Sequence, residues 1–165
     1  MPVILALGFL TNGQCIESSP NPVITQRSHG MTEEILIDTN APQSDKWIFF
    51  EKTGLRQYIL WTHPETGASI ALLDFPEGAG VPQKHTHASN QFMYCLEGEY
   101  EYTESKIVLT PGSFYMNPKD HPHGPTLARK RSVLLEIYDG PHYYEMPDFH
   151  TEKTVGKIVS RDTGK

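Results

Sequence analysis

Two histidine pairs carry most of the chemistry in this chain: His85 with His87, then His121 with His123. Neutral imidazole is the commonest side-chain ligand for transition metals. If the segment around His85 is a β-strand, residues two apart project from one face, so both rings of the first pair point the same way. Gln91 follows at the same even spacing and shares that face if the pairing runs on. The second pair stands between prolines, shortly after the turn signal Pro111-Gly112. Imidazole nitrogens from both segments meeting at one point would form a metal site with open coordination positions. Histidine suits iron, zinc, nickel, copper and cobalt alike, so the ligand types do not choose a metal.

Positioning such a site takes strands and tight turns, and the chain supplies both. No long 3.6-residue period is present. The stretches 35–37, 47–50, 55–61, 69–75, 91–97, 99–103, 107–109, 113–116 and 133–138 are short and rich in apolar, aromatic or branched side chains, which predicts strands. Pro64 and Gly67 bracket one turn, and residues 76–80 form another that delivers the first histidine pair. Gly98 ends the apolar run 92–96, and Asp139-Gly140-Pro141 stops the last strand. Short strands broken by Gly and Pro at roughly eight- to twelve-residue spacing predict an all-β sandwich or barrel.

In a barrel, inward positions carry ligands and pocket groups while outward ones pack or meet solvent. With His85 and His87 inward, the register through Gln91 carries Met93 and Cys95 inward and turns Phe92, Tyr94 and Leu96 the other way. On the last strand Leu134, Glu136 and Tyr138 share one face. Glu136 is then either a buried carboxylate that needs a partner or an edge residue touching water. Tyr138 is either a proton donor or a packing group. Arg56 and Tyr58 share a face in the same manner, and Arg56 is either an anchor for an anionic substrate or a surface charge. His29, His63, His142 and His150 fall on turns or tails and are expected to face solvent.

A length of 165 residues favours one domain with a sizeable core. Twenty acidic against fourteen basic residues leave a net charge of -6, and the basic run Arg129-Lys130-Arg131 is too short to suggest a nucleic-acid partner. Cys15 and Cys95 make neither a disulfide framework nor a thiolate motif. Cys95, inside an apolar strand, reads as a small core residue. The apolar run at residues 3–10 is too short to span a membrane. It has the length of a signal-peptide core but lacks the flanking basic residues and small-residue cleavage site. Residues 1–30 are therefore expected to lie outside the core, the domain to run from 31 to 147, and residues 148–165 to form a polar, peripheral tail. A cytoplasmic location is the default, with export left open by the first residues.

Taken together, the two histidine segments resemble the paired motifs of the cupin superfamily. The first motif places a glycine before H-x-H, a glutamate a few residues on, and then a glycine; here Gly80, His85, His87, Gln91 and Gly98 stand in those places. The second runs from a Pro-Gly turn through apolar positions to a proline and a histidine; here these are Pro111, Gly112, residues 114–116, Pro118 and His123. The similarity spans about residues 46 to 146 and implies an all-β, double-stranded β-helix (jelly-roll-like) barrel. It also implies His85, His87 and His123 as ligands of one divalent metal. Gln91 replaces the usual glutamate as a weak fourth ligand or a donor to substrate, and His121 is a competing imidazole.

Residues 63–68, leading into the strand 70–75, and the ending 137–141 are further similar to cupins related to acetylacetone dioxygenase and to the cupin part of ChrR-type anti-sigma factors. That likeness implies Fe(II) as the favoured metal, with zinc, nickel, manganese or copper as alternatives. Three readings follow from it. The first is an Fe(II) dioxygenase cleaving a small enolisable dicarbonyl or hydroxyketone, with Arg56, Tyr58, Glu136 or Tyr138 orienting the enolate. The second is a redox-silent lyase, isomerase or cyclase acting on a sugar acid or polyketide, a reading to which Gln91 points. The third is a sensor or binding module without turnover. A homodimer is expected, because small cupins cover edge strands that way.

Overall fold

The computed structural model describes residues 34–161. Expectations placed on residues 1–30, His29 and Cys15 lie outside that range. One compact unit begins at Ile37, and the described residues before it belong to a separate unit. Residues 35–37, expected as a strand, have no regular structure, and Leu36 is exposed. Among the described residues no strand pairs with this apolar triplet, and composition alone does not make a ladder.

The strands are β1 (Ile48–Phe49), β2 (Arg56–Thr62), β3 (Ser69–Phe75), β4 (Gln91–Tyr102), β5 (Ile107–Leu109), β6 (Phe114–Asn117) and β7 (Thr126–Tyr138). All pairings between them are antiparallel, in the order β1-β2-β3-β7-β4-β5, with β6 also on β4. β3 is buried along almost its whole length between β2 and β7, which is why residues 70–73 read as a continuous apolar run, while the buried Asp74 is held by Arg56 and Arg131. Among the described residues no helix is long and apolar enough to cross a membrane.

β4 and β7 form the long axis of the sheet, paired from Gln91 opposite Tyr138 to Tyr102 opposite Thr126. Two predicted strands, 91–97 and 99–103, are thus one. Gly98 does not end the strand but bends it, among register shifts on either side. Its φ is +88°, and a Cβ there would lie 2.0 Å from the Arg131 carbonyl oxygen, so only glycine fits. β7 also begins seven residues before the predicted strand 133–138. Its first half carries the basic run, whose charges pair with acids on β4: Arg129 with Glu101, Lys130 with Glu99 and Arg131 with Glu97. Cross-strand ion pairs of this kind let a polar stretch remain in a ladder.

The core lies on the inward face. Phe75, Met93, Cys95, Tyr100, Tyr102, Ala128 and Leu134 are buried there with Phe50, Leu55, Leu73 and Leu109. Tyr94 and Leu96 face outward and are exposed, as the alternation predicts. Each fully buried apolar side chain of this size stabilises the fold by roughly 1.5–3 kcal/mol.

Candidate metal centre

The first histidine pair is not carried by a regular strand. Residues 81–90 form a loop, and a single antiparallel bridge joins His85 to His123. The His85 amide donates to the His123 carbonyl and the His123 amide to the His85 carbonyl, each at 2.9 Å. Residues bonded in this reciprocal way lie directly opposite and send their side chains to one face. That bridge is the local reason two distant segments meet. His87, two residues from His85, falls on the same face, and its carbonyl accepts the Asp120 amide at 3.0 Å, which ties down the second loop. Gly80 permits the approach: a Cβ there would lie 2.1 Å from the Thr126 carbonyl oxygen.

Three imidazoles converge. Nε2 of His87 lies 2.9 Å from Nε2 of His123, which lies 3.1 Å from Nε2 of His85. The ring of His85 is oriented by Nδ1 against the Gln83 carbonyl at 3.0 Å. The His87 ring meets the His142 backbone, and the His123 ring stacks with Tyr102 and Tyr115. Burial lowers the pKa of all three below the ordinary histidine value, that of His123 to about 3. At neutral pH they are therefore lone-pair donors.

These residues fit one divalent cation. Metal–nitrogen bonds of roughly 2.0–2.1 Å place two ligand nitrogens about 2.9–3.4 Å apart for angles between 90° and tetrahedral, which matches the observed spacing. His85, whose Nδ1 must donate to the Gln83 carbonyl, turns an unprotonated Nε2 toward the other two rings. Gln91 supplies a second sign. Its amide nitrogen donates to Glu136 Oε1 at 2.7 Å and to the Tyr138 hydroxyl at 3.0 Å, while its oxygen is buried without a hydrogen-bond partner. An orphaned buried acceptor beside three imidazoles is a ready oxygen ligand.

The site opens on a cavity of about 60 Å³. A water molecule needs roughly 10–15 Å³ of such space, so the cavity holds a few waters or one small organic molecule. Glu136 and Tyr138 line it. Burial pushes the Glu136 carboxyl up to about 7, against the opposing effect of the Gln91 and Tyr138 hydrogen bonds. The hydroxyl of Tyr138 also lies 3.3 Å from His87, and burial raises its pKa well above the usual phenol value.

Other sequence expectations need correction. Arg56 and Tyr58 do not line the cavity; the register places Leu55 and Gln57 there instead. Arg56 is half-exposed, ion-paired with Asp74 and set over the Trp47 ring, and Tyr58 packs edge-on against the same tryptophan. His121 is exposed, hydrogen-bonded through Nδ1 to Asn117, and lies outside the cluster. His142 and His150, expected in solvent, line the cavity together with Tyr143, Phe149 and Thr154. The described part of the tail, residues 148–161, is therefore not peripheral: Phe149 and Val155 are buried, Tyr143 bridges to Ile158, and the His142 amide donates to the Lys157 carbonyl at 2.9 Å. The apolar trace of Val155, Ile158 and Val159, with Phe149 before it, was the sequence signal for this segment. Its spacing matches neither strand nor helix, which hid it.

A family model of the ChrR cupin-like domain matches residues 32–142. No curated protein matches the chain in sequence. Among solved structures, an acetylacetone dioxygenase from Acinetobacter johnsonii is 19% identical with a TM-score of 0.58, over 80% of this chain and 90% of that one. KdgF from Halomonas sp. is 22% identical with a TM-score of 0.52, over 65% and 93%. An RmlC-like cupin from Ralstonia eutropha JMP134 is 19% identical with a TM-score of 0.52, over 75% and 78%. At such identities the likeness is one of fold, and the fold is the double-stranded β-helix.

Proposed function

The chain belongs to the ChrR cupin-like domain family, and from that footing we propose that it is a metal-dependent enzyme acting on a small oxygenated molecule, with Fe(II)-dependent cleavage of an enolisable dicarbonyl or hydroxyketone by dioxygen as its reaction. The convergence of three neutral imidazoles on a small cavity carries this reading. His85, His87 and His123 would hold one divalent cation, with the Gln91 oxygen as a fourth donor. A donor set without a carboxylate leaves the cation's charge uncompensated and favours an anionic oxygen chelate such as an enolate. Bound there, the metal supplies Lewis acidity and, as iron, access to dioxygen chemistry.

The chain's own groups do the rest. Glu136, held near neutrality, accepts or returns a proton at its carboxyl oxygens, since a carboxyl with a pKa of about 7 serves as either acid or base at working pH. Tyr138, with its proton firmly held, donates a hydrogen bond rather than ionising. Phe50, Leu73, Phe75 and Phe149 give the cavity an apolar wall against which the carbon skeleton of a substrate packs. The fold likeness to an acetylacetone dioxygenase supports the choice of substrate class.

The Gln91–Glu136–Tyr138 cluster favours a second reading, in which acid–base chemistry at a redox-silent metal isomerises or eliminates. Iron-loaded protein in an oxygen electrode, offered acetylacetone and other small dicarbonyls and hydroxyketones, should consume oxygen in step with substrate loss. Absence of uptake across that panel would overturn the dioxygenase reading. Anaerobic turnover by zinc- or nickel-loaded protein would establish the second in its place.

A further inference from the structure

β2 brings to the cavity an amide that the fold itself does not use. Leu55 and Gln57 line the cavity on this side, and Gln57 pairs with Leu73 of β3. Gln57 is buried, and among the described residues its side chain makes no hydrogen bond. Thr53, in the turn leading into β2, also lines the cavity, and its hydroxyl is buried without a partner. By contrast, Tyr100 donates to the Thr126 hydroxyl at 2.7 Å, and the Tyr143 hydroxyl lies 3.2 Å from His150. A buried polar group left unpaired destabilises a fold, and leucine or methionine would fill the Gln57 position without that cost.

The sheet register puts this amide within reach of a molecule held at the metal centre. Leu73 pairs with Leu134 and Ala71 with Glu136, so Gln57 stands one row of the pleat away from Glu136, with β3 between them. That is roughly 7 Å along the strands and roughly 10 Å across them, before either side chain extends. The β3 residue opposite Glu136 is an alanine, whose methyl group takes little of the space between. Glu136 is in turn bonded to Gln91 beside the imidazoles. A ligand held there reaches Gln57 with a tail of a few carbons.

Charge narrows what that tail carries. Among the described residues lining the cavity there is no lysine or arginine, and the one carboxyl is that of Glu136. An anionic tail would meet no counter-charge there. A neutral carboxamide or ketone would meet a side chain that both donates and accepts.

We propose that Gln57 is a specificity-determining residue, which hydrogen-bonds a neutral oxygen-bearing group at the end of a short tail on the metal-chelating part of the substrate. The proposal rests on the dicarbonyl reading given under Proposed function and narrows it to dicarbonyls with a neutral polar tail.

Three β-diketones of matched size test this on the full-length, cobalt(II)-loaded protein: 4,6-dioxoheptanamide, 4,6-dioxoheptanoate and 7-methyloctane-2,4-dione. Their tails end in a carboxamide, a carboxylate and an isopropyl group. Titration is read by the visible cobalt bands, with acetylacetone as the ligand that has no tail. The carboxamide should bind about 3- to 10-fold more tightly than either of the others, the worth of one neutral hydrogen bond. Gln57→Leu and Gln57→Met should each bring the ratio of carboxamide to isopropyl affinity to one or below. The ratio is taken within each variant, so a general loss of binding cancels. Urea unfolding of the metal-free variants supplies a readout without ligand, and their midpoints should equal or exceed that of wild type. A wild-type preference for isopropyl or carboxylate, a carboxamide preference that survives in both variants, or lower midpoints in both would overturn the proposal. Acetylacetone binding without any carboxamide preference would overturn it alone. Cobalt-loaded protein that binds none of the diketones, acetylacetone included, would overturn the dicarbonyl reading and this proposal with it.

Discussion

Five imidazoles line one cavity, in two sets that differ in a single respect. The inner set, His85, His87 and His123, comes from two loops joined by one bridge; the outer set, His142 and His150, comes from the segment after β7. Burial lowers the pKa in both, to about 3 for His123 and about 4 for His142 and His150. Desolvation therefore does not tell them apart. Their partners do. His142 Nε2 faces the Ser69 hydroxyl at 2.8 Å, and His150 is bonded at both nitrogens. The three inner Nε2 atoms face one another, with the Tyr138 hydroxyl 3.3 Å from that of His87. A shifted pKa marks burial; three imidazole nitrogens converging on one point mark a candidate metal site.

The sharpest way to break that contrast is to truncate one member of each set. His87→Ala should lower metal affinity well beyond the roughly 10–100-fold expected for an outer partner, and His142→Asn should stay within that range. Isothermal titration with Co(II) or Zn(II) reads both, and equal losses would erase the distinction.

A smaller effect concerns acid. As the pH falls below the ordinary value of 6.5, the unfolded chain protonates His142 and His150 before the folded one does. Their contribution to stability is complete above that value and is lost as the pH falls toward about 4. Each imidazole contributes at most about 1.4 kcal/mol per pH unit, less where water reaches it. Urea unfolding of metal-free protein between pH 7.5 and 4.5 should show this slope, reduced in His150→Gln. A flat profile would mean the outer set is solvated in solution.

The smallest effect belongs to the residues the sequence placed at the site and the structure did not. Arg56→Ala and Tyr58→Phe should leave cobalt affinity and spectrum unchanged, with Arg56→Ala costing about 1–3 kcal/mol of stability because it leaves the buried Asp74 with Arg131 as its remaining ionic partner. A change in metal binding in either variant would mean the β2 register differs from the one described.

The inward positions of Met93 and Cys95, and the common face of Leu134, Glu136 and Tyr138, were legible because a strand alternates with a period of two. The same rule failed on β2, where Arg56 and Tyr58 do share a side but the wrong one. Alternation gives two faces without saying which is inside, and only pairing with β3, Gln57 opposite Leu73, decides that. Glu136 could be placed on one face with Leu134 and Tyr138 but not assigned to burial, since its partner Gln91 lies 45 residues away.

Residue types and spacing alone determined the chemistry available here: two imidazole segments, the glutamine in place of a carboxylate, the strands and the turns that separate them. Tertiary structure decided which imidazoles meet and which atoms are left unsatisfied. The bridge between His85 and His123 selects His123 over His121, and the fold-back of residues 141–159 turns an apparently solvent-facing tail into a wall of the site. Both outcomes depend on hydrogen bonds and burial between residues far apart in the chain. Local periodicity carries no record of such contacts, because it reports only what a segment offers and not what it meets.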